Sequence, residues 1–337
     1  MTEMTADRAV AGIAAVTPDE QMSQLEPYRV ELTAYCYRML GSAFEAEDAA
    51  QEALVRAWRG LDRFEGRAAL RSWLYRIATN VCLSMLGASQ RRARPMDLAP
   101  VSTADSPLPA ALPEATWIEP IADARVMPAG GDPADVAVAR ESVRLAFVAA
   151  LQHLPPRQRA VLILREVLRW KADEVAELLG TTVASVNSAL QRARSTLAST
   201  KVEAGGPSEP MDDAHQALLA RYVDAFERYD MDSLTALLRE DATWNMPPYD
   251  LWLQTHRDIR DWCLGPGIGC MGSRLVPTMA NGSPAFGQYK PSAQPGIWEP
   301  WSLQVLELSG GRISGITFFL DTARFFPAFG LPPHLEA

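Results

Sequence analysis

Two arginine-rich stretches of helical periodicity, separated by a segment that proline keeps out of helix, restrict this chain more than any other feature. The first, AEDAAQEALVRAWRGLDRFEGRAALRSWLYRIATN, runs from Ala46 to Asn80. The second, LPPRQRAVLILREVLRWKADEVAELLGTTVASVNSALQRARSTL, runs from Leu154 to Leu197. In both, apolar residues recur every three or four positions, so each stretch must bury one face against neighbouring helices. A chain of 337 residues is too long for one such module, and its length predicts two or three domains.

The formal net charge of -9 argues against nucleic-acid binding until it is resolved along the chain. Residues 26–95 carry +3 and residues 150–201 carry +4, whereas 96–149 carry -5 and 202–337 carry -8. Phosphate attraction follows the local patch, because a distant acidic region is screened beyond a Debye length. No apolar run reaches 18 residues, and the start of the chain lacks a basic-then-apolar order. Neither membrane insertion nor a secretory signal is expected. Cys36, Cys82, Cys263 and Cys270 are scattered without histidine neighbours or paired spacing. They predict free thiols in a reducing cytoplasm and no metal or other cofactor.

The chain divides by composition. Residues 1–25 form a flexible lead-in, 26–95 a helical module, and 96–135 an acidic linker rich in proline and alanine. Within that linker, Trp117, Ile118 and Ile121 are apolar enough to dock. A second helical module covers 136–200, a short linker 201–210, a third domain 211–330, and a tail 331–337.

In the first module, Ser42 and Glu45 have the spacing of a capping box, which predicts a helix start beside Gly41. The following helix has Ala46, Ala50, Leu54, Ala57 and Trp58 on one face and Asp48, Gln51, Glu52 and Arg56 on the other. The polar side alone reads as a solvated surface. The next segment adds donors, Arg67, Arg71, Arg76 and Asn80, beside Phe64 and Trp73, and Arg91, Arg92 and Arg94 close the module. Arginine positions phosphates, while aromatic and amide groups receive unstacked bases. Trp58 reads as core, and Trp73 fits either role.

The second module reads as helix, turn, helix. Val175, Leu178 and Leu179 are apolar on the first helix, Gly180 ends it, and Thr181 or Thr182 caps the next. Val183, Val186, Leu190 and Leu197 then face inward. Ser185, Asn187, Ser188, Gln191, Arg192 and Arg194 are left outward, where a recognition helix reads a major groove.

Together the two modules resemble regions 2 and 4 of the extracytoplasmic-function (ECF) group of the sigma-70 family. The first carries an AED-x-x-Q-E-x-x-x-R-A-W-R-like helix followed by an F-x-G-x-x-x-x-x-x-W-L-x-x-I-A-x-N-like segment. The resemblance implies that Asp48, Gln51, Glu52 and Arg56 contact the largest catalytic subunit of core RNA polymerase. It implies that Phe64, Arg67, Arg71, Trp73, Arg76, Asn80, Arg91 and Arg92 serve the promoter -10 element. Region 4 would read the -35 element through Ser185, Asn187, Ser188, Gln191, Arg192 and Arg194. It would dock on the second-largest subunit through Val161, Leu162 and Leu164. The chain departs from the family at Ser84 and Gly87, and at Ala184 to Ala189, where two cationic positions are lost.

The third region changes character. Helices are predicted at 214–229, 233–238 and 257–264, and strands at 243–246, 274–280, 285–289, 301–308 and 313–320. Asn281-Gly282 and Gly310-Gly311 sit where hairpins reverse. An α+β fold follows, and the residues from 210 to 330 resemble the SnoaL-like, NTF2-like cone fold found on an actinobacterial-type subgroup of these factors. Trp244, Met246, Trp252, Trp262 and Phe318 would line a pocket with His256 and Asp321 as polar groups; His256 also reads as a helix-end residue. Nothing in their spacing forms a catalytic constellation, and the chain is expected not to be an enzyme.

The fold expected is therefore multidomain: two all-α modules followed by an α+β cone. The function expected is a specificity subunit that binds core polymerase and promoter DNA, in the cytoplasm with polymerase and the nucleoid. Its third domain would regulate by intramolecular docking, favoured by its acidic charge, or by sensing a small apolar ligand. The alternatives are a stand-alone helix-turn-helix regulator and a DNA-binding protein fused to an isomerase- or cyclase-like enzyme.

Overall fold

Small residues and well-formed caps decide where the N-terminal helices start, stop and meet. In the computed structural model, which describes residues 18–64, 69–87, 91–128, 130, 132–199 and 212–337, four helices precede residue 91, the first of them inside the stretch expected as a flexible lead-in. They are α1 (Pro18–Leu25), α2 (Arg29–Leu40), α3 (Ala43–Gly60) and α4 (Leu70–Leu86). Gly41 ends α2 in the left-handed conformation, φ 73°, which glycine adopts without strain. Ser42 then caps α3 by accepting the Glu45 N–H at 3.2 Å. The predicted box is not reciprocal: Glu45 turns its carboxylate to Arg92, 2.8 Å away. Every residue of α2 from Leu32 to Leu40 is buried, as expected of a central helix covered all round. The alanine face of α3, Ala46, Ala50 and Ala57 with Leu54, packs in the same core.

Residues 91–128 make no long helix, as their prolines dictate. They contribute the single turns α5 (Pro95–Leu98) and α6 (Asp123–Val126). This segment is nonetheless pinned rather than loose. Trp117, Ile118, Ile121 and Val126 are buried, and Ala93 exchanges backbone hydrogen bonds with residues 116 and 118. The second module follows as α7 (Pro133–Glu141), α8 (Leu145–Gln152), α9 (Pro156–Leu162), α10 (Ala172–Leu179) and α11 (Val183–Ser199). The chain widens into a π turn over Ile163–Val167 after α9.

The C-terminal domain sets α12 (Asp213–Glu227), α13 (Met231–Ala236) and α14 (His256–Leu264) against a seven-stranded sheet. Its strands are β1 (Leu238–Asn245), β2 (Trp252–Leu253), β3 (Arg274–Ala280), β4 (Ser283–Pro291), β5 (Ile297–Ser309), β6 (Arg312–Phe319) and β7 (Leu335–Glu336). A last helix, α15 (Thr322–Ala328), precedes β7. The order is β2-β1-β6-β5-β4-β3, with β7 on β5. β1 and β6 run parallel and the other neighbours antiparallel. The α+β expectation holds in this coarser form: the sheet is mixed and open, not closed on itself.

Alternation along the strands sends successive side chains to opposite faces. Phe286, Leu306, Ile316 and Phe318 face α12, α13 and α14. Ala285, Tyr289, Leu303, Val305 and Phe319 join a core continuous with both N-terminal modules. The sheet is thus buried on both faces, and its outer face belongs to the same core as α2 and α8.

Candidate nucleic-acid and polymerase interfaces

The recognition helix is set by its turn. Gly180 closes α10 at φ 60°, and the Thr182 hydroxyl accepts the Ser185 N–H at 3.2 Å, so Thr182 starts α11. Val186, Leu190 and Ala193 are buried under that helix. Ser185, Asn187, Ser188, Gln191, Arg192 and Arg194 all face solvent. Arg194 is held by Glu166 from the π turn after α9. Val183, expected inward, is exposed at the first position of α11, where a helix has not yet wrapped its core face.

The polar side of α3 also lies open. Asp48, Gln51, Glu52 and Arg56 are exposed; Arg56 pairs with Glu52 at 2.7 Å, and Arg29 donates to the Gln51 amide oxygen at 2.8 Å. Val161, Leu162 and Leu164 do not share this exposure. All three are buried in the common core, so the expectation that they form a docking surface is corrected: their periodicity served packing.

The residues expected at the -10 element divide. Arg67 lies outside the described residues. Asn80 is exposed, and Arg91 reaches the His153 ring nitrogen at 3.0 Å. Phe64 and Trp73 stack with centroids 5.0 Å apart, and Trp73 leans on Gly60, where an added Cβ would lie 3.2 Å from its ring. Arg71 is half-buried in an ion pair with Glu31 at 2.7 Å, and its guanidinium lies 5.3 Å from the centre of the Tyr75 ring. Arg76 donates to the Glu177 carbonyl of α10 at 3.3 Å. Arg92 is a correction: it is buried, bound to Glu45 and to the Trp117 carbonyl at 2.8 Å each. It is an internal strut, not a phosphate contact.

Two junctions that the sequence reading missed tie the modules together. At the first, Glu119 from the linker accepts the Ser42 hydroxyl at 2.5 Å and the Arg324 guanidinium of α15 at 3.3 Å. Burial raises its carboxyl above the usual range, against the lowering effect of Ser42 and the two arginines. At the second, the tip of the β3–β4 hairpin enters the interface. Asn281 donates to the Tyr37 oxygen and to the Val143 carbonyl, and accepts the Ile121 N–H at 3.0 Å. Gly282 donates its N–H to Asp123 at 2.8 Å, and a Cβ there would fall 2.4 Å from Arg140 Cγ. At the first junction the cation, Arg324, comes from the acidic domain and meets the linker carboxylates Glu114 and Glu119. The signal available beforehand was the Asn-Gly pair, which reads locally as a turn.

In the C-terminal domain, Trp244, Met246, Trp262 and Phe318 line one cavity of about 300 Å³. The other expected pocket residues lie elsewhere. Trp252 donates its indole N–H to the Ala99 carbonyl at 2.9 Å. His256 begins α14 and bonds the Arg239 carbonyl at 2.8 Å, in keeping with a helix-end role. Asp321 lines a second cavity, beside Glu119 and Arg324.

Sequence comparison agrees with this architecture. Residues 25–92 match the family model for Sigma-70 region 2, and residues 144–197 match that for Sigma-70, region 4. The chain is 47% identical over 315 residues to the ECF RNA polymerase sigma factor SigG of Mycobacterium tuberculosis, covering 92% of this chain and 83% of that protein. The crystal structure of the M. tuberculosis ECF sigma factor SigJ superposes with a TM-score of 0.59 at 22% identity, covering 92% of this chain and 99% of that one. A further likeness corrects the expectation that the chain is not an enzyme. An M. tuberculosis LEH-like epoxide hydrolase matches with a TM-score of 0.27 at 13% identity, over 36% of this chain and 92% of its own. The expectation of no catalysis is withdrawn, and this likeness assigns the chain no reaction. By its length of match to SigG and its two sigma-70 modules, the chain belongs to the ECF RNA polymerase sigma factors of the sigma-70 family.

Proposed function

We propose that this chain is carried to promoters as a closed molecule whose modules must separate before both promoter elements are read. It is an ECF sigma factor: it binds RNA polymerase and directs promoter recognition. The observation that carries the DNA-reading role is α11, which turns six polar side chains to solvent from a buried, capped base. Asp48, Gln51, Glu52 and Arg56 on α3 form the contact with the largest polymerase subunit. The solvent-facing part of the second module, rather than its buried apolar residues, meets the second-largest. Work of this kind belongs in the cytoplasm, on the nucleoid.

Closure follows from distance. The -10 and -35 elements are separated by about 25 base pairs, roughly 85 Å along B-form DNA. In the structure α4 packs against α10, and Arg76 bonds the α10 backbone. Modules in direct contact cannot span that interval. The C-terminal domain, a SnoaL-like, NTF2-like module on this reading, holds them together through Asn281 and Arg324. Regulation by this domain is therefore inhibitory in the free chain.

Transcription in vitro from a genomic promoter library, with purified core polymerase and the full chain, tests the assignment. Promoter-specific transcripts are expected. Duplex DNA binding without core binding would instead indicate a stand-alone regulator.

A further inference from the structure

The cavity beneath α14 has a composition that selects its ligand. Its walls are aromatic: Trp244 and Phe318 lie with ring centroids 4.4 Å apart, and Trp262 stands beside them. Its polar lining atoms are largely committed to the protein. The Gln288 amide donates to Ser273 at 3.0 Å, and its oxygen accepts from Ser302 and Gln304. The Tyr229 hydroxyl is directed to the Cys263 and Gly267 carbonyls, 2.7 Å from each. Burial pushes the Cys263 thiol up to about 12, so it brings no negative charge at neutral pH. Among the lining residues one carries formal charge, Lys290, whose Nζ lies 3.7 Å from the centre of the half-exposed Trp301 ring. No ion pair holds Lys290 among the described residues.

One wall does not belong to the C-terminal domain. Leu108, from the segment between the two sigma modules, lines the same cavity while remaining half-exposed. That segment is laced to the domain on either side of Leu108. Ser102 N–H donates to the Trp252 carbonyl at 2.8 Å, Ala104 N–H to Asp258 at 3.2 Å, and Leu112 N–H to the Pro248 carbonyl at 2.9 Å.

We propose that this cavity binds a small organic anion with a planar apolar body, its acidic group on Lys290, and that occupancy fixes residues 99–112 in place. The body fits the aromatic walls, whose contacts carry the burial energy. The single ammonium, which sits against the Trp301 ring and holds no carboxylate among the described residues, supplies the charge-assisted contact that discriminates an anion from a neutral analogue. Because Leu108 completes the wall, a ligand that touches it binds the docked linker better than the released one, and must shift the balance towards docking. The binding claim stands apart from the sigma reading; only the consequence for promoter use rests on it.

The experiment uses the full chain and two probes that share an aromatic body. They are 8-anilinonaphthalene-1-sulfonate, which is anionic, and N-phenyl-1-naphthylamine, which is neutral. Calorimetry should show that Lys290→Gln weakens the sulfonate about tenfold and changes the neutral probe by less than about twofold. Arg257→Gln, at the far end of α14, should change neither. Saturation with the sulfonate should slow hydrogen exchange at the Ser102, Ala104 and Leu112 amides. Absence of sulfonate binding, equal affinity in wild type and Lys290→Gln, a parallel loss for both probes, or unaltered exchange at those amides would each overturn the proposal. None of those results bears on whether the chain supports transcription.

Discussion

The Asn281 side chain donates to the phenol oxygen of Tyr37 at 2.6 Å, joining residues 244 positions apart. Asn281 sits at φ 56° at a hairpin tip and is fully buried. The same amide satisfies Ile121 and Val143, so one side chain stitches the first module, the linker and the second module to the C-terminal sheet. Asn281→Gly keeps the backbone conformation accessible but removes all three contacts. Each buried group left unpaired costs about 1–3 kcal/mol. The expected outcome is faster proteolysis between residues 91 and 128 and several-fold more promoter-specific transcript at equal protein. A variant that resists protease like the wild type would remove Asn281 from the closure.

Two arginines from the basic modules should separate cleanly. Arg192 is exposed on α11, so Arg192→Ala should leave thermal stability unchanged and lower the salt dependence of promoter binding by about one phosphate contact. Arg92 is buried between Glu45 and the Trp117 carbonyl. Removing it leaves the Trp117 carbonyl and the Glu45 carboxylate without their partner, and Arg92→Ala should destabilise the fold by about 1–3 kcal/mol. Thermal melts and salt titrations of the two variants check both statements.

Local structure was largely legible, because periodicity and caps are written in neighbouring residues. The Ser42 cap, the Gly180 stop and the strands around Asn281-Gly282 lie where spacing put them. Long-range use was not. Leu162 and Leu164 look alike whether they meet a partner or their own core, and the structure buries them. Arg92 and Arg192 are equally basic in sequence, yet one is a strut. The linker's prolines correctly denied a helix but did not reveal that Glu119 and Asp123 anchor other modules. Trp252 is apolar enough for a pocket wall, but its indole N–H is satisfied by Ala99 instead.

Asp123 gives the interface a pH signature. Its carboxyl is raised above the ordinary aspartate value, chiefly by burial, with the Gly282 N–H and Arg140 opposing. A raised carboxyl contributes stability below its unfolded value that is lost as pH rises through its folded value. At pH 7 the ionised group therefore weighs against the fold relative to a neutral isostere. Asp123→Asn keeps an oxygen for Gly282 and should raise the melting temperature by about 2 °C at pH 7. The difference should shrink as pH falls towards 4. His153 titrates in the opposite sense, its ring lowered by burial and by Arg91, so the mutant-minus-wild-type difference is the quantity to follow. A gain that persists unchanged at pH 4 would mean that the charge of Asp123 is not its cause.

The α3 surface offers the sharpest test of polymerase contact. Glu52 is exposed and pairs with Arg56 one turn on, an exposed pair worth under about 1 kcal/mol to the fold. Glu52→Lys reverses the charge at the centre of the Asp48–Arg56 face while leaving the buried alanine side of α3 untouched. Affinity for core polymerase should fall at least about tenfold, since a like-charge or unpaired contact at an interface costs more than the pair contributes to folding. The melting temperature should move by less than about 2 °C. Leu162→Ala is the informative contrast: in a fully packed core it should cost about 2–5 kcal/mol of stability and weaken polymerase binding only as far as the chain unfolds. Binding of folded Glu52→Lys at wild-type affinity would place the polymerase contact on another face, and the exposed parts of α10 and α11 would be the next to vary.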